Sequence, residues 1–599
     1  MTMTVRAGLS ALALSCALAP FTFATAHAED ADSQNPTIIV TATNAARDAE
    51  ERAAKTPGGT DVVTYADYAD KTVISLRDAL AFSPGVYLQP RYGQEVRISI
   101  RGSGISRGFH MRGLTLLQDG VPINLADDNG DFQELDPVFL QHIEVYRGAN
   151  ALRYGSGTLG GAVNGVTPTG LTSPGLYLRG DAGSFETFRA LATYGASDSV
   201  GDVWAGVSAE TSNGDRGHAQ RQALRFGLFG NVKTLDHPIF QVIDQESFDR
   251  GFFGRYDYAG NVFEATLGGE LRYGTTDSRR FVNVGGEPGA LTYDADLEAR
   301  TANIYGELRV KPLAGLSLIA GGVWADGFRE QDADLGSIDA RAEYDAFSPK
   351  FGILYEPAEG IQLFANVSRS AEFPGFGEII QTVSNAPVFV ADLSEQRAWT
   401  YEIGTRGTLG RVSWDLALYR ADIDGELLQF TVGPDIPAST FNADRTRHDG
   451  IEAALRFDAA DWLRLTGVYT FSDFRFVDDR SYGDNRLPVV PRHVLRGEAR
   501  FDFGRVHVAP TVEWVPEGAF ADYLNNVQVP PYALLSLTAG ASITDRLDLF
   551  LDARNITDNA KIGDISAVVD ATTLSFGAPQ RIYYPVERRG VFGGVRARF

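Results

Sequence analysis

The chain has 599 residues, 44% of them hydrophobic, and a formal net charge of −23 at pH 7. That acidic balance excludes nucleic acid as the expected partner. No apolar run after the first few tens of residues is long enough for a spanning helix, which excludes a helical membrane protein. A β-barrel remains compatible, because each lipid-facing residue alternates with a lumen-facing one and hides the membrane signal. The 64 glycines and 11% aromatic content suit many strands joined by tight turns.

Arg6 is followed by an apolar run from Ala7 to Ala24, and Ala26-His27-Ala28 offers a small-x-small cleavage pattern. Residues 1–28 therefore read as an export signal peptide rather than an anchor, since the run is short. Cys16, the only cysteine, lies inside it; Ala13 stands where a lipoprotein signal carries a larger aliphatic residue. Cleavage after Ala28 leaves a mature chain without a thiol in an oxidising compartment. Residues 29–55 form a tail. Glu29–Asn35 is acidic and polar, and Asn44–Lys55 is polar again. Between them Pro36, Thr37, Ile38, Ile39, Val40, Thr41 and Ala42 make a compact β-prone segment. Exposed, such a segment can add to the sheet edge of another protein; taken alone, it is equally a first strand of the next domain. The few residues before it leave no room for an additional N-terminal domain.

Residues 56–170 read as a small, turn-rich α/β domain. Ser75–Ala81 has helical periodicity and stops at Ser83-Pro84-Gly85. Val86-Tyr87-Leu88, Arg97–Ile100 and Ile143–Tyr146 read as strands between Gly-rich connectors. Pro168 and Pro174 bracket a short linker, and the composition changes there. From residue 171 to Phe599 the text becomes repeated alternating strands, among them Leu176–Ala182, Leu363–Arg369, Leu534–Gly540 and Gly590–Phe599. At roughly 19 residues per strand plus connection, an even count of about twenty-two fits, and eighteen or twenty are also compatible. The expected fold is a large antiparallel transmembrane β-barrel with the N-terminal α/β domain as a plug inside its lumen.

Ile100–Gly102 (IRG), Gln118–Ile123 (QDGVPI), Ile143–Gly155 (IEVYRGANALRYG) and Gly160–Asn164 (GGAVN) fall in order. They resemble the plug of TonB-dependent outer-membrane receptors. Ser368–Glu378, Tyr401–Gly407, Arg447–Phe457, Leu487–His493 and Ala553–Lys561 resemble that family's barrel, so the likeness covers essentially the whole mature chain. The wording RGFHMRG and NALRYGSGTLGGAVN is similar to the ferric-citrate-type branch. The resemblance implies a monomeric importer in the outer membrane of a Gram-negative bacterium, surrounded by lipid and lipopolysaccharide. Pro36–Ala42 would be the TonB box, paired with a TonB-type energy-coupling protein of the inner membrane. Arg101 and Arg147 would be structural, pairing with barrel glutamates, with Glu144 placed beside them. Phe599 would be the terminal aromatic read by the outer-membrane assembly machinery. No cofactor is expected; iron enters only within the transported chelate.

Arg91, Arg97, Arg101, Arg107 and Arg112 fall close together, with Glu95 the one acid among them. A guanidinium is a planar, permanently charged fork suited to carboxylates. Arg91, Arg107 and Arg112, with Gln94 and His110 by adjacency, are the candidate contacts to an anionic ferric chelate, ferric citrate or another siderophore. The competing readings are structural arginines, another cargo such as cobalamin, a sugar or a non-ferric metal complex, and a passive porin-like channel. Asp127-Asp128-Asn129-Gly130-Asp131 lacks the acid and flanking helices of an EF-hand and reads as a solvated acidic turn. Gly155–Gly160 satisfies G-x-G-x-x-G but runs into strand-like sequence, against a dinucleotide site. No hydrolase, P-loop or zinc motif is present, so no enzymatic chemistry is expected. Residues 215–222, 276–288, 331–344 and 438–447 read as external loops.

Overall fold

The computed structural model describes residues 43–90, 96–104, 111, 113–154, 158–183, 187–197, 202–210, 224–238, 241–260, 262–383, 386–389, 393–430, 439–565 and 583–598. The predicted signal peptide, Pro36–Ala42 and Phe599 lie outside them.

The N-terminal domain begins with helix α1 (Thr43–Ala54) and strand β1 (Thr60–Thr64), followed by α2 (Tyr65–Tyr68) and α3 (Leu76–Leu80). Helix α3 starts where a capping pair puts it. Ser75 accepts from the Arg77 amide, and the Asp78 carboxylate accepts from the Ile74 and Ser75 amides at 2.8 and 3.1 Å. Strands β2 (Val86–Pro90) and β3 (Val96–Ile100) form an antiparallel hairpin. Strands β4 (Leu114–Gln118), β5 (Val121–Pro122), β6 (His142–Arg147) and β7 (Gly161–Val166) join β1 in a five-stranded sheet of order β1-β6-β7-β4-β5. Every residue of β3 and β6 is buried. A free-standing domain of this size would leave one face wet. Here one face packs on the domain's own core, where Leu76, Ile98, Leu116, Ile143 and Val163 meet, and the other faces the barrel wall.

Nineteen strands among the described residues join into one closed antiparallel barrel, beside the count of about twenty-two expected from length. The first, Gly175–Gly183, pairs with the last, Gly590–Arg598. Alternation is plain along Ala340–Ala358, where Phe347, Phe351, Ile353 and Tyr355 are exposed while Tyr344, Ala346, Ser348 and Leu354 are buried. The exposed aromatic and aliphatic side chains form the lipid belt. Above it the same outward face carries Arg341, Glu343 and Asp345.

Strands here reach 27 residues, well beyond the roughly 9–11 that cross a bilayer. This corrects three expected loops. Residues 276–288 lie almost wholly in the hairpin of Phe263–Val284 and Glu287–Leu313. Residues 331–344 lie mostly in that of Leu316–Leu335 and Ala340–Ala358, and 439–447 belong to Ser439–Ala460. Outward residues above the lipid meet water, so projecting strands have the composition of loops. Residues 215–222 lie outside the described set.

Candidate functional site

The N-terminal domain sits in the lumen, and the contacts that hold it there define the site. Strand β3 ends at Ile100, and the chain then turns through Arg101 and Gly102 with φ of 54° and 88°. A left-handed conformation at a non-glycine residue is uncommon and needs support from its surroundings. The Arg101 fork supplies that support. Its Nε and Nη2 donate to the two oxygens of Glu452 at 3.0 Å each, and Nη2 also donates to Glu402 at 2.7 Å. The guanidinium lies 4.4 Å from the Tyr419 ring centroid. Arg147, at the end of β6, donates to Glu452 at 2.7 Å and to Asp415 at 3.1 Å. Glu402 also accepts from the Gly59 amide at 2.7 Å, Asn150 at 2.9 Å and Asn366 at 2.7 Å.

Arg147 and Glu452 are fully buried. Burial opposes the charge on Arg101, but Glu402 and Glu452 outweigh it and hold the guanidinium well above its ordinary value. Gly148 belongs to this geometry: at φ 62°, a Cβ there would come within 2.7 Å of Arg101 Nη1. His448 completes the knot, its Nδ1 2.9 Å from the Arg101 carbonyl and its ring stacked on Phe474. The plug contributes the cations and the barrel the anions.

Glu144 stays within the plug. It accepts from Arg52 of α1 at 2.6 Å and from Asn164 at 3.0 Å, with His142 at 3.5 Å. Burial alone would raise its carboxyl; His142 and Arg52 outweigh that and keep it well below the carboxylate range. Helix α1 is thereby tied to the sheet.

A second attachment uses backbone. Arg179 donates to the carbonyls of Ala69 and Lys71 at 3.0 and 2.5 Å, Arg189 to that of Val73, and Arg554 to that of Thr72. Asp70, within the same stretch, faces Arg596 at 2.5 Å, His507 at 2.8 Å and Arg500 at 3.5 Å. A third grip falls just after α1. Arg406 donates to the carbonyls of Ala54, Thr56 and Gly58 at 2.8, 2.6 and 3.0 Å, and Arg309 to that of Lys55.

The acidic turn is not solvated, contrary to the sequence reading. Asp128 pairs with Arg272 at 2.5 Å, Asp127 is buried and accepts from the Phe376 amide at 3.2 Å, and the Ala126 amide donates to Asp249 at 2.8 Å. Barrel arginines and a barrel loop take the place that water was expected to fill.

Arg91, Gln94, Arg107, His110 and Arg112 lie outside the described residues. Arg97 is buried and donates to the Gly104 carbonyl at 2.7 Å, a turn-closing role. The residues that sequence reading did not single out are Glu402, Asp415, His448, Glu452 and the arginines that clamp residues 69–73, Arg179, Arg189 and Arg554. Tyr401–Gly407 and Arg447–Phe457 contain three of them, so the family-like barrel blocks were the available signal. Among the described residues no group of three or more His, Cys, Asp and Glu side chains could hold a metal. What the arrangement can do is hold a plug in a pore by contacts that are broken without covalent change.

Comparison with known proteins identifies what is built this way. The family described as "TonB dependent receptor-like, beta-barrel" matches residues 126–556, and the "TonB-dependent Receptor Plug Domain" matches residues 52–162. The vitamin B12 transporter BtuB of Vibrio vulnificus is 22% identical, with 96% of this chain and 98% of that protein covered. Among solved structures, the unliganded ferric citrate transporter FecA is similar with a TM-score of 0.72 at 16% identity, covering 92% of this chain and 98% of that one. The ferric yersiniabactin uptake receptor FyuA of Yersinia pestis is similar with a TM-score of 0.69 at 14% identity, covering 91% and 98%.

Proposed function

The chain belongs to the TonB-dependent outer-membrane receptors, and from that premise we propose that its cargo is a ferric chelate, ferric citrate or another siderophore. Transport across the outer membrane of a Gram-negative bacterium, powered through TonB, comes with the family; the cargo is our reading. The observation that carries it is the density of arginine in the plug between residues 91 and 112, of which Arg91, Arg107 and Arg112 are the proposed ligand contacts, with Gln94 and His110. Anionic carboxylate and hydroxamate chelates match such forks.

Coupling begins at Pro36–Ala42, which we assign as the strand that adds to the energy-coupling protein. Force on it reaches α1 first, then the Arg52–Glu144 pair, then the Lys55–Gly58 stretch gripped by Arg309 and Arg406. Next comes β1, an edge strand whose five residues pair with β6 alone. Edge strands peel one hydrogen bond at a time, so this order needs less force than shearing the sheet. The plug stoppers the lumen through a buried ionic knot, which disfavours the passive-channel reading.

Direct binding of the purified protein to a panel of ferric chelates and cyanocobalamin tests the cargo. Ferric citrate or a siderophore bound well ahead of cyanocobalamin is the expected outcome, and the reverse order overturns the reading. Cobalamin is the second reading because the V. vulnificus vitamin B12 transporter matches along nearly its whole length. Deleting Pro36–Ala42 should abolish uptake and leave binding intact; uptake that survives the deletion rules the coupling assignment out.

A further inference from the structure

Between the last residue of α1 and the first of β1 the plug runs along the barrel wall as a strap, Lys55-Thr56-Pro57-Gly58-Gly59, in neither helix nor strand. Its backbone hydrogen bonds close completely. The carbonyls of Ala54, Thr56 and Gly58 accept from Arg406 at 2.8, 2.6 and 3.0 Å, that of Lys55 from Arg309, and that of Pro57 from Asn366 at 2.8 Å. Five consecutive carbonyls thus end on three barrel side chains. On the donor side, the Lys55 and Thr56 amides turn back into α1 and the Gly58 amide bonds the Thr56 carbonyl. Pro57 has no amide proton to place, and the Gly59 amide donates to Glu402 at 2.7 Å.

Arg406 is the centre of this cradle. Its remaining donors reach Thr60 Oγ1 at 2.8 Å and Gln362 at 2.9 Å, so all five N–H groups of the fork are used. A helix leaves its last carbonyls unpaired, and a cation there completes it; for α1 that cap belongs to another body, the barrel. The strap fits its seat closely. A Cβ added at Gly352 would meet the Pro57 ring at 2.8 Å, and one added at Gly59 would lie 2.7 Å from Arg147 Nε. Glu402 ties the seat to the ionic knot, because the same carboxylate accepts from Arg101, Asn150 and Asn366.

We propose that Arg406, with Arg309 and Asn366, is a catch: force entering through the tail extends α1, halts at residue 54, and passes to β1 and the knot only when the strap lets go. The inference rests on the coupling reading and not on which cargo is carried. Three carbonyls bonded to one rigid fork are loaded together and released together, whereas the β1 pairs with β6 peel singly. The catch therefore divides the movement into two stages. In the first the tail lengthens while the plug stays seated. In the second Glu402 loses the Gly59 amide, Asn366 loses Pro57, and the knot is loosened from below. Arg406 is a positioning residue in this scheme.

The one cysteine, Cys16, falls in the predicted signal peptide, so Ser33→Cys gives the exported chain a single thiol as a handle. The barrel with its plug, reconstituted in a lipid bilayer, is pulled by that thiol from the tail side in a force microscope. The 21 residues from 33 to 54 span roughly 75 Å when extended, and a force peak is expected at that length. In Arg406→Gln this peak should fall to less than half its height while later peaks keep theirs. Arg309→Gln, which frees one carbonyl of the five, should lower it by less, and it decides alone if Arg406→Gln does not fold. No peak at that length in the parent, an unchanged peak in the variants, or an equal fall of every peak overturns the catch, the last by marking a merely structural arginine. Neither cargo nor coupling protein takes part, so a failed catch and a failed Pro36–Ala42 deletion test are told apart.

Discussion

Two walls of one lumen divide their arginines differently between plug and barrel. On the strands 175–197 and 547–598 the guanidinium groups reach across to plug carbonyls and to Asp70. On the strands 241–313 the use is mixed: Arg255 turns back on Asp257 of its own strand, whereas Arg272 bridges Glu270 of its own strand to plug Asp128, and Arg309 reaches the plug's Lys55 carbonyl. Residue type does not tell these arginines apart; the location of each cation's partner does. A cation whose partner sits on the moving body resists the motion, and one paired on its own strand does not. The Arg101 and Arg147 knot belongs with the holding side, and there ionic side chains of both bodies are fully buried against each other.

The largest break in this contrast is expected from Glu452→Ala. Removing one member of a buried ion network leaves uncompensated charge and costs about 3–5 kcal/mol. The variant should melt earlier in calorimetry and make cells sensitive to a large hydrophilic antibiotic, a sign of a loosened plug. Arg189→Ala comes next. Its loss frees the Val73 carbonyl and Asp136, and hydrogen bonds to charged groups contribute about 1.5–3 kcal/mol each. Amide exchange of residues 69–75 should quicken while that of β4 and β5 stays as it was.

Asp61 gives a pH test on the holding side. Burial pushes its carboxyl up to about 6, with Asp415 and Asp67 adding to the shift. The folded state then binds a proton that the unfolded chain, with an ordinary value of about 3.9, has already released. Stability from this group falls as pH rises from about 4 to about 6. Asp61→Asn should be more stable than the parent above pH 6, and the advantage should vanish in melts near pH 4. The smallest effect is expected from Arg255→Ala, less than about 1 kcal/mol, because Asp257 is partly exposed and water replaces its partner. A loss as large as that of Arg189→Ala would erase the difference between arginines that grip the plug and those paired within the barrel.

How much of this could be read from residues follows the same division. The plug blocks, the helical run after Ser75, the alternation of Leu363–Arg369 and the strand at Gly590 are written in side chains, and the sequence carries them. The clamp is not written that way. Its acceptors are the carbonyls of residues 69, 71, 72 and 73, and every residue type has a carbonyl. Asp127 and Asp128 read as a solvated turn because nothing local announces Arg272 and Phe376, which lie far along the chain. The hairpin around Gly285 read as loop because Asp277, Asp294 and Asp296 are polar on a face that is already above the lipid. Pairing of Arg101 with barrel carboxylates came from the family resemblance; which carboxylates were meant had to come from three dimensions.

The circular pairing has one more consequence. Residues 177–183 find their hydrogen-bond partners in residues 592–598, far along the chain. Unless the two strands meet, the sheet has two raw edges, which hydrocarbon cannot solvate. Removing those edges thus depends on one pairing between strands at the two ends of the barrel sequence.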